Sequence, residues 1–413
     1  MADEAACEDL PEAAPQRLVT LDFIRGIAVL GILVANIVAF SSPVIAYSWP
    51  GGYLVPAPGD RWIWLVQYVL IDGKMRGLFS LLFGASMLLF LERAWARGAG
   101  GWLQARRLLW LMLFGLAHFY LLFWGDILFL YGIAGLVALL FVRHEPYKLL
   151  GLGIAWYLAG ALYLTAVTSI SVTAEGAASG IAHAPAVQGT AQAVAKARRE
   201  LGAFATGSYP AEVSFIAREH SGVLRQYPLF ALIETVPWML IGMALYGYGL
   251  FDGRLERRLL LRWGWIGFLS GLALSVPLGL LALREGFPFY LTRFVFDDIG
   301  QLPRLPMTLG LAALLAAWAP RAARTRLGGR IVAAGRMAFS NYVGTSALMM
   351  LIFRHWALGF YGELTRAQLL MPTVLGWVLI LAWSKPWLAR FRYGPLEWCW
   401  RCLTYWRLFR FRR

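Results

Sequence analysis

Two pairs of residues in the first third of the chain have types and spacings that could carry chemistry. Arg25 and Asn36 are eleven residues apart, and so are Arg107 and His118. Eleven residues make almost three turns of an α-helix, so each pair projects from one helix face with about 16 Å between its members. Asp126 follows His118 by eight residues, across a Trp-Gly-Asp turn. A histidine beside a carboxylate is a common general base with its orienting group.

Each of these features also has an interpretation without catalysis. Asp22 lies one turn before Arg25 and could pair with it, which would anchor the helix at the inner membrane interface. Asn36 could serve as a polar contact between helices. His118 could be satisfied by a neighbouring helix, while Asp126 caps the next one. Spacing alone leaves the functional and the structural interpretations open.

A third polar cluster lies in the stretch AAGRMAFSNYVGTSALMM near the C-terminus. Its polar residues are Arg336, Ser340, Asn341, Tyr342, Thr345 and Ser346. Polar groups are costly within an apolar span and normally face the interior of a bundle or a cavity. This cluster could line a cavity or serve only in contacts between helices.

The composition places these residues in a membrane protein. Of the 413 residues, 59% are hydrophobic and only 15% are charged, whereas soluble domains are about a quarter charged. Many apolar stretches reach about 20 residues, enough to cross a bilayer core of about 30 Å. We predict an all-α, polytopic bundle of about ten transmembrane helices, near residues 18–42, 75–93, 107–124, 126–142, 147–170, 228–250, 260–282, 304–320, 331–353 and 367–389. The stretch 60–72 predicts a short interfacial or re-entrant helix.

The basic residues predict the orientation of this bundle. With the N-terminus inside, the inward loops and the C-terminal tail hold 22 of the 38 Lys and Arg residues. Basic residues concentrate on the cytoplasmic side of membrane proteins, so the pattern favours both termini inside. The net charge of +15 therefore indicates contact with membrane lipids, and a nucleic-acid partner is not expected.

The predicted spans divide the chain into five parts. Residues 1–17 form a cytoplasmic tail, and residues 18–170 and 228–390 form two halves of five spans each. Between them, residues 171–227 predict a helical extracytoplasmic segment, which could be a solvated linker or a cap over an outward-facing cavity. Residues 391–413 alternate basic and aromatic side chains, as in a segment that lies on the inner leaflet.

Other chemistries receive little support. Cys399 and Cys402 form a lone C-x-x-C without a second pair or a nearby histidine, so no metal site is expected. The nucleotide-binding and hydrolase motifs that would indicate an ATPase or a serine hydrolase do not occur in a fitting context.

Five stretches carry a resemblance to a known family. They are RLVTLDFIRGIAVLGILVANI, GLFSLLFGASMLLF, GLAHFYLLFWGDILFLYGIAG, GRMAFSNYVGTSALMM and RYGPLEWCWRCLTYW. In this order they resemble the bacterial YeiB-like family, which carries the domain of unknown function 418 (DUF418) in its C-terminal half. The resemblance implies a multi-pass protein of the bacterial inner membrane.

The opening Asp-x-x-Arg-Gly is also similar to the start of two groups of membrane acyltransferases. These are the acyltransferase-3 and the heparan-glucosaminide N-acetyltransferase families, which are thought to take acyl groups from cytosolic acyl-CoA. In the acyltransferase-3 pattern a catalytic histidine stands where this chain has Asn36, and asparagine cannot act as a general base. The glucosaminide acetyltransferases carry asparagine there too, with their histidine in the loop that follows. This chain has no histidine before His118.

The resemblance implies an acyl-CoA donor, no metal, and an acceptor that is a small molecule, a glycan or a lipid. His118 is then the expected base and Asp126 its orienting group. The expected binding residues are Asp22, Arg25, Asn36, Arg107, Arg336, Asn341 and Tyr342. A secondary transporter or channel for a small solute, and a non-catalytic scaffold or sensor, remain alternatives. The sequence also leaves open whether the chain forms a homodimer.

Overall fold

The computed structural model describes residues 18–51, 57–177 and 183–413. The predicted N-terminal tail, residues 1–17, lies outside these ranges. Within them the regular structure is helical, apart from one isolated β-bridge between Phe391 and Arg412. The all-α prediction is therefore confirmed for the described residues.

The α-helices are labelled in chain order. In the first half they are α1 Val19–Ser41, α2 Ile45–Ser48, α3 Asp60–Leu70, α4 Lys74–Trp95, α5 Trp102–Leu121, α6 Leu128–Ala138, α7 Pro146–Gly176, α8 His183–Thr206 and α9 Tyr209–Phe215. In the second half they are α10 Ser221–Phe230, α11 Val236–Gly247, α12 Arg257–Arg284, α13 Phe289–Arg293, α14 Gln301–Ala322, α15 Arg326–Arg336, α16 Ala338–Phe353, α17 Leu370–Arg390 and α18 Pro395–Tyr405.

Six helical stretches of the described chain are long and apolar enough to cross a bilayer. They are Val19–Ser41, Asp60–Trp95, Pro146–Gly176, Tyr209–Gly247, Arg257–Arg284 and Phe289–Ala322. Leu128–Phe141 and Ala338–Phe353 are shorter apolar helices. The chain is thus a helical membrane protein, while the count of ten spans and the orientation stay predictions.

The predicted span 331–353 is two helices in the structure, because the chain breaks at Met337 between α15 and α16. Met337 has a φ of −113° and a ψ of 31°, outside the helical range. The side chain of Asn341 donates a hydrogen bond of 3.0 Å to the carbonyl of Ala334, beside this break. The Glu397 carboxylate accepts hydrogen bonds from the first backbone N–H groups of α16, at Phe339 and Ser340. The break therefore follows from side chains that satisfy backbone groups which an unbroken helix would pair internally.

The stretch Tyr209–Gly247 is continuous but irregular, since π-helical turns interrupt it at Ile216–His220 and Ala231–Thr235. It begins within the predicted segment 171–227 and continues into the predicted span 228–250, so no loop separates the two. Pro228 and Pro237 lie on either side of the second π turn. A proline has no N–H to donate, which favours a local departure from the α-helical pattern.

Glycines allow the central helices to approach closely. A side-chain methyl group at Gly84 of α4 would overlap the carbonyl of Met239, and one at Gly242 of α11 would overlap that of Leu81. Helices in a bilayer gain little from the hydrophobic effect, so close packing of small residues is a main source of their association. Helices α1, α5 and α6, which carry residues of the candidate site, pack against this α4–α11 pair.

Candidate functional site

A cavity of about 380 Å³ lies between the ends of several helices, and arginines from five of them line it. The arginines are Arg25 of α1, Arg93 of α4, Arg107 of α5, Arg336 of α15 and Arg401 of α18. The carboxylates among the lining residues are those of Asp22 and Glu397. Positive charge therefore exceeds negative charge in the lining.

Two glycines bring α1 and α15 together at this cavity. A methyl group at Gly26 would overlap the carbonyl of Ile331, and one at Gly335 would overlap the carbonyl of Asp22. Because these helices meet backbone to backbone, the neighbouring Arg25 and Arg336 enter the same space. The glycine of the Asp-x-x-Arg-Gly motif is thus a packing residue that positions its arginine.

Arg25 is held by two side chains. Its Nη1 donates to Asp22 Oδ1 at 2.8 Å, which is the pairing that the sequence suggested. Its Nη2 donates to Ser86 Oγ of α4 at 2.6 Å. Arg25 is about one-fifth exposed, so the pair is fixed at the cavity wall and still accessible.

Arg107 is held by aromatic rings. Its guanidinium lies 4.2 Å from the ring centre of Trp400 and 4.6 Å from that of Phe90. The indole N–H of Trp400 donates to the Arg107 carbonyl at 2.8 Å, which locks α18 against α5. Stacking uses the face of a guanidinium, and its N–H groups lie in the plane, where they can bind an anion.

The inner part of the cavity is apolar. Phe79, Phe83, Leu111 and Tyr131 line it together with Ile127 and Tyr342 at the far end. The cavity therefore offers a cationic mouth and an apolar arm, which suits an anionic ligand with a long, weakly polar tail.

A buried relay of three side chains lies directly behind Tyr342. The Tyr342 ring is 5.0 Å from the His118 ring, measured between ring centres. His118 Nδ1 is 2.8 Å from Asp126 Oδ1, and His118 Nε2 is 2.8 Å from Ser346 Oγ. The three residues are at most 3% exposed and do not line the cavity. Tyr342 separates the relay from the cavity.

Asp126 acts at once as the partner of His118 and as a cap of α6. Its Oδ2 accepts the backbone N–H of Phe129 at 2.7 Å, and its own carbonyl accepts the hydroxyl of Tyr227 at 2.7 Å. Gly115 of α5 makes room for this turn, because a methyl group there would lie 2.8 Å from Asp126 Oδ2. The Trp-Gly-Asp turn is thereby packed onto the face of α5 that carries His118.

The hydrogen bonds indicate which nitrogen of His118 carries the proton. An ionised carboxylate only accepts hydrogen bonds, so Nδ1–H donates to Asp126. Nε2 then carries no proton and can accept a hydrogen bond from the Ser346 hydroxyl, at 2.8 Å. With the opposite tautomer, the unprotonated Nδ1 and the carboxylate oxygen would both be acceptors, and no proton would lie between them.

The predicted binding residues divide into two groups. Arg107, Arg336 and Tyr342 line the cavity together with Asp22 and Arg25. Asn36 and Asn341 do not line it. Asn36 is half-buried about 16 Å deeper than Arg25 on α1. The amide oxygen of Asn341 accepts a hydrogen bond of 2.9 Å from the Trp383 indole, so its amide is used within the bundle.

Some residues of the site were not predicted. Ser346 appeared in the third polar cluster, but its contact with His118 spans 228 positions of sequence, and spacing could not show it. Arg93 and Arg401 lie among many basic residues of the predicted inward segments. Glu397 could have been suspected, because it is a lone carboxylate in the basic, aromatic C-terminal segment.

Another polar cluster lies near the turn between α3 and α4, and its side chains do not line the cavity. Arg76 makes two hydrogen bonds to Glu234, of 2.9 and 2.8 Å. Lys74 Nζ donates to the Tyr68 carbonyl at 2.6 Å. These groups satisfy one another, as expected of structural pairs in a membrane protein. Elsewhere too, the described residues contain no group of three His, Cys, Asp or Glu side chains suited to a metal ion.

Comparison with known proteins places this arrangement in a family context. Residues 245–407 match a family described as "Protein of unknown function (DUF418)". The chain is 33% identical to the uncharacterized protein YeiB of Escherichia coli strain K12 over 94% of this chain and 96% of that protein. It is 30% identical to the uncharacterized protein YxaH of Bacillus subtilis strain 168 over 96% of each. No solved structure matches the chain.

The DUF418 match covers α12 to α18 and therefore contributes Arg336, Tyr342, Ser346 and Arg401. Arg25, Arg107, His118 and Asp126 come from the half of the chain before it. The cavity and the relay behind it thus need both halves.

Proposed function

Since this chain belongs to the YeiB-like family that carries DUF418, we propose that it works as a transmembrane acyltransferase of the bacterial inner membrane. It would move an acyl group, such as acetyl, from acyl-CoA on the cytoplasmic side to a hydroxyl or amine on the opposite side. The observation that supports this most is the position of Tyr342. Tyr342 lines the arginine-rich cavity, and its ring centre lies 5.0 Å from that of His118.

The cavity suits the donor by charge and shape. Acyl-CoA carries phosphates at one end and a thioester at the end of a long, weakly polar arm. Arg25 and Arg107 present guanidinium groups, which bind phosphate oxygens with paired hydrogen bonds. A volume of about 380 Å³ falls in the usual range of small-molecule sites and would hold the pantetheine arm, with the nucleotide at the basic mouth.

The relay supplies the group that the reaction needs. Transfer of an acyl group to a hydroxyl or amine requires a base for the proton of the attacking atom. His118 Nε2 has its lone pair directed away from Asp126 and toward Ser346 and is suited to this role. Asp126 holds the ring in this tautomer and stabilises the imidazolium that forms.

The direction of transfer rests on the distribution of charge. The cavity opens among residues of the predicted inward segments, such as Arg93 and Arg401, where the cytosolic donor would enter. His118 lies about 16 Å beyond Arg107 along α5 and contacts Asp126, in the turn between the predicted spans 107–124 and 126–142 on the outer side. An acceptor from the other side would meet the acyl group there.

The proposal is tested by calorimetric binding of acetyl-CoA to the purified protein in detergent. We expect binding that weakens at least tenfold in Arg25→Gln and in Arg107→Gln. Arg106→Gln is the matched control, because Arg106 precedes Arg107 on α5 and does not line the cavity. Absence of binding at millimolar acetyl-CoA would contradict the proposal.

The same preparation also distinguishes the acyltransferase from the two alternatives that the sequence leaves open. A secondary transporter would move its solute into proteoliposomes without any acyl donor. A scaffold or sensor would tolerate His118→Ala without loss of function in the cell. For the acyltransferase we expect His118→Ala to bind acetyl-CoA like the unmodified protein and to lose its turnover.

A further inference from the structure

We propose that Ser346 is a catalytic nucleophile, which carries the acyl group as a serine ester between the donor and the acceptor. The inference rests on the proposed acyltransferase function and deepens it. It starts from the relay, in which Ser346 Oγ, His118 and Asp126 are joined by two contacts of 2.8 Å each. The arrangement of hydroxyl, imidazole and carboxylate is the one that activates serine in acyl-transfer enzymes on unrelated folds.

The direction of the hydroxyl proton favours this role. Ser346 Oγ also lies 3.3 Å from the Tyr342 carbonyl of the preceding turn, the usual partner of a serine within a helix. The contact with His118 Nε2 is shorter by about half an ångström. Asp126 keeps the proton of His118 on Nδ1, so Nε2 can accept the proton of Ser346.

The location also favours a covalent carrier. Ser346 and Tyr342 are four residues apart on α16, so the serine lies one turn beyond a residue that lines the cavity. Rotation of the Tyr342 side chain would open the apolar end of the cavity toward Ser346. An acyl group fixed to Ser346 stays at the middle of the bundle after the CoA thiol has left, and the acceptor can then approach from the other side.

Each half of the reaction balances. Ser346 Oγ attacks the thioester carbonyl carbon while its proton moves to His118 Nε2. The carbon–sulfur bond then breaks, and the imidazolium gives its proton to the CoA sulfur. In the second half the acceptor oxygen or nitrogen attacks the ester carbonyl and His118 takes its proton. The bond from carbon to Ser346 Oγ breaks, and the proton returns to the serine.

The test uses the full-length protein with acetyl-CoA and no acceptor, followed by intact-mass spectrometry and peptide mapping. We expect one added acetyl group, located on the peptide that contains Ser346. Ser346→Ala should abolish the adduct and lower acetyl transfer at least about a thousandfold. Ser346→Cys, which is nearly isosteric, should form an acetyl thioester that neutral hydroxylamine cleaves.

The control is Thr345→Val, which removes the hydroxyl next to Ser346 in sequence. Thr345 Oγ1 donates to the Asn341 carbonyl at 2.6 Å, so we expect this variant to keep both the adduct and the transfer. His118→Ala combined with Ser346→Ala should be no slower than either alone, because members of one relay are not additive.

The outcomes separate the two proposals. Acetyl transfer that persists in Ser346→Ala would overturn the serine ester and leave an acyltransferase in which His118 acts directly on the acceptor. If the unmodified protein neither binds nor consumes acetyl-CoA, the proposed function fails. A small fluorophosphonate then decides the role of Ser346. Labelling that Ser346→Ala and His118→Ala both lose supports a nucleophile for another acyl donor, and no labelling overturns it.

Discussion

Asp126 accepts hydrogen bonds from two buried donors, so its replacement should cost both stability and activity. In Asp126→Ala, His118 Nδ1–H and the backbone N–H of Phe129 lose their acceptors at 2.8 and 2.7 Å. The Asp126 side chain is fully buried, so water cannot replace it. Each orphaned donor costs about 1–3 kcal/mol, which predicts a loss of about 2–6 kcal/mol in the free energy of unfolding. Asp126→Asn keeps one acceptor oxygen and should lose about half as much.

Thermal unfolding in detergent, followed by tryptophan fluorescence, measures this difference. The matched control is Asp252→Asn, because Asp252 pairs with Arg254 in an exposed loop. Such surface pairs contribute about 0–1 kcal/mol. If Asp126→Ala unfolds within about 1 kcal/mol of this control, the carboxylate does not hold the turn and the histidine as described. Acetyl transfer should also fall by a factor of about 100–10,000 in Asp126→Asn, because the tautomer of His118 is no longer fixed.

Three further predictions concern the residues that support the site. Gly115→Ala should lower the Tm and the rate of acetyl transfer, because the methyl group would overlap the turn at Asp126. Gly151→Ala on α7 is the control and should change neither, because no atom lies within 4 Å of its methyl group. Glu397→Gln should weaken the cap of α16, so we expect trypsin to cleave the C-terminal tail faster in this variant. An unchanged cleavage rate would show that the cap is unimportant. Burial raises the pKa of Glu200 from 4.5 to about 7, so its neutral form is favoured in the folded protein. The neutral carboxyl group contributes about 3 kcal/mol to the free energy of unfolding below pH 4.5, and this contribution is lost as the pH rises through about 7. The Tm should therefore fall between pH 5 and 8, and it should depend less on pH in Glu200→Gln.

The hydrophobic pattern was sufficient to place most helices. The predicted span 18–42 matches α1 at both ends to within a few residues. The predicted span 147–170 matches the start of α7, which continues to Gly176. An apolar helix in a bilayer needs only length and composition, and both are visible in sequence. The break at Met337 was not visible, because it depends on Glu397, which lies 60 residues later and caps α16 from another helix.

The candidate site was predictable only where local geometry decides it. The contacts of Arg25 with Asp22 and of His118 with Asp126 join residues a few positions apart, and helical spacing or a tight turn suggested both. The helical spacing of Arg25 and Asn36 predicted one helix face for both. Whether the cavity extends far enough along that face to reach Asn36 depends on the other helices, and it does not. The contact of His118 with Ser346 depends on how α5 packs against α16, which no local pattern encodes.

The most direct test of the account is release of the CoA thiol from acetyl-CoA by the purified protein in proteoliposomes, with and without His118→Ala. The account predicts steady thiol release by the unmodified protein in the presence of an acceptor. It also predicts a loss of at least about a hundredfold in the variant, which should still bind acetyl-CoA. Equal thiol release by both proteins, or none by either at millimolar acetyl-CoA, would contradict it.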